Sequence, residues 1–420
     1  MSFYFKDQFP GKRERHRQVG LSRYDIASTP HQACPQNNKK QFAACLATSS
    51  RIFKLTCCLI ALLLTLHTPA AAQLMRYNPG GDSTKTVSLE GYADIYYGYD
   101  FSKPRNGERA YFVSQNRHNE VNINLAYLSL RYNSKNLRAV FTPALGTYMN
   151  ANYVNERSTL RHVLEATVGV RLAKNKAIWL DAGVFSSPYT TETPVSYDQM
   201  MYTRAFAPEY VPYYLSGAKL TLPVNSKLTT YFYLLNGWQQ IEDVNRALSQ
   251  GATIEYKPSN KLQLNLNLYT GNEQSVANPN FRRRNLLDFF ALYTPTKKWS
   301  FIASAYRGSQ ARKDSAGNSS SGSWWQTNVS GRYSMSPTHS VAARAEYFKD
   351  PTGVMIVPVT GVPVFKCFSY SLGYNRRLSD EVLFRVEGRW FTSPNNIFLK
   401  QSATPAGNNL LLIAGLTAKF

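Results

Sequence analysis

Leu410-Leu-Leu-Ile-Ala-Gly-Leu-Thr-Ala-Lys-Phe420 ends the chain, and its spacing decides the fold. Leu410, Leu412, Ala414, Leu416, Ala418 and Phe420 fall on one side of a strand, with Gly415, Thr417 and Lys419 on the other. Leu411 and Ile413 blur the upper half. Successive side chains of a strand point to opposite faces, so one face here is apolar throughout and the other mixed. A bulky apolar residue stands where soluble chains usually fray into polar tails.

The same alternation recurs through most of residues 73–420. Leu89, Gly91, Ala93, Ile95, Tyr97 and Tyr99 alternate with Glu90, Tyr92, Asp94, Tyr96 and Asp100. Leu160, Leu164, Ala166, Val168, Val170 and Leu172 alternate with Arg161, Glu165, Thr167 and Arg171. Val382, Phe384, Val386 and Trp390 alternate with Arg385, Glu387 and Arg389. Further strands run through 178–184 and 262–268. Val121, Ile123 and Leu125 begin in one phase while Leu128, Leu130 and Tyr132 continue in the other, which predicts a β-bulge near Ala126–Tyr127.

Counting such segments predicts about sixteen strands, joined by links that alternate in length. Short links fall near 133–136, 174–176, 223–226, 258–260, 295–297, 336–338 and 379–380. Long ones fall near 102–120, 149–158, 186–212, 237–246, 271–281, 309–322, 350–364 and 392–408. This regularity predicts an all-β fold, a transmembrane antiparallel β-barrel with short periplasmic turns and long extracellular loops. In hydrocarbon every backbone amide must be paired within the protein, so a sheet spans only when closed. Sixteen strands also leave a lumen wider than wall side chains fill, so a water-filled channel is expected. Aromatics near strand ends (Tyr97, Tyr99, Phe101, Trp238, Trp299, Trp324, Trp325, Trp390, Phe420) suit interfacial girdles.

Composition agrees. Hydrophobic residues make up 43% of the chain and mean hydropathy is −0.35, as expected where only alternate residues meet lipid. No apolar run reaches the roughly 18 residues that a spanning helix needs. Leu55–Leu66 is preceded by Arg51 and Lys54 and followed by Pro69 and Ala70-Ala-Ala72, the pattern of a cleaved secretory signal. We therefore assign 51–72 to the signal and 1–50 to a basic disordered extension or a start placed too far upstream. Residues 73–85 read as a short periplasmic segment, too small for a plug domain, and 86–420 as the barrel. Ten of the 48 basic and three of the 26 acidic groups precede Gln73, which leaves 38 and 23 and a net charge of +15. Of five cysteines only Cys367 follows the signal, so no internal disulfide is expected.

Several function classes are excluded or weakened. A basic pI of about 9.7 raises nucleic acid, but export and the lack of a binding fold argue for no nucleic-acid partner. No hydrolase elbow, phosphate loop, zinc-protease helix or cysteine-rich metal motif appears, so neither an enzyme nor a cofactor is expected. His118, His162 and His339 offer no catalytic spacing; a wall-borne lipase pair is the enzymatic reading left open.

Gly91-Tyr-Ala-Asp-Ile-Tyr-Tyr-Gly-Tyr-Asp100, Asn124-Leu-Ala-Tyr-Leu128, Gly146-Thr-Tyr148, Leu180-Asp-Ala-Gly-Val-Phe-Ser-Ser-Pro188, Leu235-Asn-Gly-Trp238 and Tyr269-Thr-Gly-Asn-Glu273 occur in this order. Together they resemble the beta-barrel porin-2 family of Gram-negative outer membranes, over roughly residues 86–420. The final strand also resembles the C-terminal strand of outer-membrane barrels, whose terminal aromatic is an assembly signal. The resemblance implies an outer-membrane porin for passive diffusion of small hydrophilic solutes. Phe420 would then serve barrel closure and the barrel-assembly machinery. Implied partners are outer-membrane lipids and lipopolysaccharide, the latter at Arg282-Arg-Arg284 on the outer rim; a homotrimer is left open. A saccharide-selective channel using Tyr96, Tyr189, Tyr202, Tyr213 and Tyr231, or a non-conducting adhesive barrel, are the competing readings.

The longest link, 186–212, mixes Glu192, Asp198 and Glu209 with Arg204 and is rich in tyrosine and proline. A charged loop folded into a lumen sets its width and local field. We expect this loop to constrict the pore, facing pore-lining Arg161, Arg171, Arg344, Arg385 and Arg389. The positive net charge suggests a weak anion preference.

Overall fold

The computed structural model describes residues 75–420. The signal at 51–72 and the extension at 1–50 lie outside the described residues. Sixteen long strands form one closed antiparallel sheet: β1 (Thr86–Asp100), β2 (Val121–Asn133), β3 (Leu137–Leu145), β4 (Val163–Arg171), β5 (Trp179–Ser186), β6 (Tyr214–Pro223), β7 (Leu228–Leu235), β8 (Ser249–Ser259), β9 (Leu262–Asn272), β10 (Phe281–Tyr293), β11 (Trp299–Lys313), β12 (Ser319–Ser334), β13 (His339–Asp350), β14 (Phe365–Arg377), β15 (Val382–Thr392) and β16 (Asn408–Lys419). Neighbours in sequence are neighbours in space, and β16 returns to pair with β1, so no long edge is left open.

Closure depends on the ending quoted above. Lys419 pairs with Tyr92, and Phe420 continues the ladder: its N–H donates to Gly91 O at 2.9 Å, and Gly91 N–H donates back to Phe420 O. Gly91 lies on the outward face, and a side chain there would occupy the space of the Phe420 ring. Glycine is thus required by close approach, and the aromatic ring covers the backbone that glycine bares. Below this point the short strand Met75–Tyr77 takes over the free edge of β1, pairing with 87–89.

The outward phase is apolar and exposed. Val168, Leu180, Phe232, Leu268, Leu287, Val329, Leu372 and Leu416 all show 38% exposure or more. An apolar belt running around the whole outside of a closed barrel is the surface that meets lipid. Aromatics flank the belt: Trp299 packs on Tyr333 at the short-turn end, and Trp325 on Tyr347 and Tyr370 on Trp390 at the loop end. Trp238 and Trp324 do not belong to it; they are buried inside the barrel, 6.1 Å apart.

Three local expectations change. The bulge falls at Asn124, because Asp94 pairs with Leu125 and Ile95 with Ile123, leaving Asn124 as the extra residue. The strand expected from Leu160 starts at Val163, with Leu160–His162 forming a 3-10 turn before it. The long link at 309–322 shrinks to 314–318, since the polar run Ser319-Ser-Ser-Gly-Ser pairs in register with β11. That segment reads as loop by composition, but an antiparallel hairpin continues wherever backbone pairing does.

Candidate functional site: the lumen and its inserted loop

Inward-facing residues carry the barrel's buried core. An aromatic layer lines the outer half of the lumen, joining wall residues Phe348, Phe365 and Phe391 to Phe112, Phe206, Tyr210 and Phe398 from the links. Phe206 sits at its centre, within 5.2–6.5 Å of Phe112, Tyr210, Phe348, Phe365 and Phe391. The lumen is therefore lined by inserted loop residues as well as by the wall. The ring is wide enough for water, and inserted loops occupy much of it.

The link 187–213 makes the longest excursion through the lumen. It leaves β5, and Tyr189 and Thr190 already reach the wall at β9 and β10: Tyr189 Oη donates to Leu268 O at 3.2 Å, and Thr190 N–H to Asp288 Oδ2 at 3.1 Å. The chain then descends along β13–β1. Ser196 Oγ donates to Asp94 Oδ2 at 2.8 Å, and Tyr197 Oη to the Asp380 carbonyl in a short turn at 2.6 Å. Lys419 Nζ lies 3.1 Å from Asp198. The loop thus reaches the periplasmic mouth before climbing back.

Three wall arginines grip it. Arg344 Nη1 donates to Thr203 O at 2.7 Å and lies 3.6 Å from Glu192. Arg385 donates to the carbonyls of Ser196, Gln199 (2.7 Å) and Met200 (2.9 Å). Arg389 donates to Arg204 O at 2.6 Å and to Glu346. Wall acids complete the grip: Glu387 accepts from Thr203 N–H and Oγ1, both at 2.7 Å, and Glu346 accepts from Phe206 N–H at 2.6 Å. Backbone carbonyls and amides that would otherwise be orphaned in a buried loop are met by charges, which make the stronger hydrogen bonds.

The remaining expected residues are scattered. Arg161 lies off the wall, in the 3-10 turn, donating to the carbonyls of Glu156 (2.8 Å) and Val154 (2.5 Å). Arg171 ends β4 at a short turn and donates to Lys176 O at 3.1 Å. Arg204 folds back on its own loop, to the carbonyls of Pro194 and Tyr202. Glu209 accepts from Val113 N–H at 2.8 Å and Tyr213 Oη at 3.1 Å, tying this loop to 101–120. Burial pushes the carboxyls of both Glu192 and Glu209 above the usual range, with Arg344 and the Val113 amide respectively opposing the shift. Arg284 is turned inward onto Trp238 at 4.8 Å and does not share the outer rim with Arg283.

What sequence reasoning missed is a second set of inward charges. Arg131, Arg138 and Lys219, with Glu90, Glu165 and Asp181, line the periplasmic half of β1–β6. Their alternation with outward apolar residues was the available signal.

Solved structures share this architecture at low identity. The outer membrane channel DcaP of Acinetobacter baumannii superposes with a TM-score of 0.56 at 9% identity, covering 83% of this chain and 100% of that one. The anion-selective porin from Comamonas acidovorans gives 0.52 at 12%, over 80% and 100%. The trimer form of OmpT from Vibrio cholerae gives 0.53 at 11%, over 80% and 100%. At such identities the likeness carries the fold alone. No curated protein sequence matches the chain. The family model described as "Putative beta-barrel porin-2, OmpL-like" matches residues 86–420, the whole barrel. The chain belongs to that family, and it is an outer-membrane channel for passive diffusion.

Proposed function

We propose that the protein admits small hydrophilic solutes and ions, and that the 187–213 loop constricts the passage. The observation that carries this reading is the loop's course through the lumen, from Thr190 on β10 to Asp198 beside Lys419. A segment gripped by Arg344, Arg385 and Arg389 removes cross-section that an empty ring of sixteen strands would offer. Glu192, Arg204 and Glu209 act here as structural parts of the constriction.

The setting follows from the same reading. An export signal at 51–72 delivers the chain to the outer membrane of a Gram-negative cell. The assembly machinery engages the strand ending in Phe420, and the barrel meets lipopolysaccharide and phospholipid. The trimer form recorded for one structural relative makes a homotrimer the assembly to test. No catalytic step is proposed. A saccharide-stacking channel gains little support, because Tyr96, Tyr189, Tyr202 and Tyr213 are buried and only Tyr231 is partly open.

Liposome swelling with solutes of graded size tests the reading. Entry that falls smoothly with solute size is expected. Saturable entry would favour a selective channel, and no entry a non-conducting barrel.

A further inference from the structure

We infer that the channel's charge filter lies on the inner wall of β2–β6, at Arg131, Arg138 and Lys219, and not at the arginines that hold the loop. The inference rests on the loop being seated in the lumen as proposed above.

Two of the inward charge clusters differ in what covers them. The side chains of Arg344 and Arg389 are 0% exposed, with Glu387 at 0% and Glu346 at 1%. Their donors are taken up by the loop backbone and by one another. Arg131, Arg138 and Lys219 keep 36%, 34% and 25% exposure while facing the same lumen. The loop is pressed against β13–β1, so the water-accessible space below its crossing borders β2–β8.

The geometry of this wall turns the cations outward to that space. Arg138 pairs in register with Gly169, and Gly169 with Asp181. Without a side chain between them, Arg138 Nε reaches Asp181 Oδ1 at 2.6 Å, and any Cβ at Gly169 would strike that carboxylate. Lys219 Nζ lies 3.8 Å from the other Asp181 oxygen. Asp181 is itself only 4% exposed, so two cationic heads sit over one covered carboxylate. Arg131 stands 3.2 Å from Glu165 and 3.9 Å from Glu90, each 22% exposed. The six charges balance formally, but the part that solute meets leans positive. Anions are favoured there, since a narrow water path within a Debye length of about 8 Å of fixed cations is poorly screened.

Single cysteines test this in a background whose Cys367 is buried. Thr167→Cys and Thr221→Cys lie on the proposed path, and Ser371→Cys lies under the loop beside Arg344. In planar bilayers a cationic methanethiosulfonate reagent should lower the conductance of the first two and leave the third unchanged. Separately, Arg131→Gln with Lys219→Gln should lower the chloride-to-potassium permeability ratio. About sevenfold is expected per charge removed, since one charge roughly 7 Å away in water shifts the energies of anion and cation by about RT each, in opposite directions. Unreactive wall cysteines, or an unmoved permeability ratio, would overturn the filter while leaving the seated loop intact if Ser371→Cys also stays silent. A Ser371→Cys channel that reacts as readily as Thr221→Cys would overturn both the seated loop and the filter.

Discussion

Tyr202 Oη donates to Asp94 Oδ1 at 2.6 Å, and its ring lies in the space that Gly415 leaves by having no side chain. One hydrogen bond and one notch thereby join the loop to both strands of the closing seam, β1 and β16. The loop is seated where the barrel closes, so its stability and the seam's are coupled.

Tyr202→Phe should loosen this seat by about 1 kcal/mol, the usual net worth of a hydrogen bond, with some further cost from the buried Asp94 oxygen left behind. Gly415→Ala should act more strongly, because the new methyl group meets the ring itself. Single-channel recordings should show more frequent open-level fluctuations in the order wild type, Tyr202→Phe, Gly415→Ala. An identical, quiet trace for Gly415→Ala would contradict the seating.

Arg344→Ala should be among the most damaging changes to the loop. It leaves Glu192, Glu346 and Glu387 together in a covered site without their shared cation. Breaking a buried ion network from one side costs about 3–5 kcal/mol. Limited proteolysis within 187–213 should become rapid in this variant while the barrel itself remains resistant.

Acidity should favour the seated loop. Glu192 and Glu209 are raised by burial when the loop is in place and return to ordinary values when it is in water. The seated form therefore binds more protons through these groups. Their favourable contribution is complete below the ordinary carboxylate range and is lost as pH rises through the raised values. Proteolysis of the loop should accordingly slow as the pH is lowered from neutral toward the ordinary carboxylate range, and Glu192→Gln should flatten that dependence. A rate that rises on acidification would contradict the sign.

Phe420 and Gly91 should behave as a pair in assembly. Gly91→Ala places a methyl group within the Phe420 ring, so the yield of folded, heat-modifiable barrel should fall. Phe420→Ala in that background should recover part of it by making room, although Phe420→Ala alone should also assemble poorly. Additive losses in the double variant would refute the contact.

Strand phase was legible because period two needs no tertiary information: the side assigned to Leu410, Leu412 and Leu416 is the side that faces out. Link alternation supplied topology for the same reason. Contacts across distant residues were not legible. Nothing local in Gly415 or Gly169 signals that a ring or an ion pair will lie over it. Periodicity likewise assigns Arg344, Arg385 and Arg389 to the face opposite the apolar one, but which inner side chains a loop covers depends on where that loop lands. The exposed set at Arg131, Arg138 and Lys219 obeyed the same alternation and became distinct only once the loop's course was known.

Planar-bilayer conductance of the full barrel, compared with a variant lacking residues 190–208, tests the central claim most directly. The constriction account predicts a clear rise in single-channel conductance when the segment is removed, with the barrel still folded. Unchanged conductance in a folded deletion variant would contradict it.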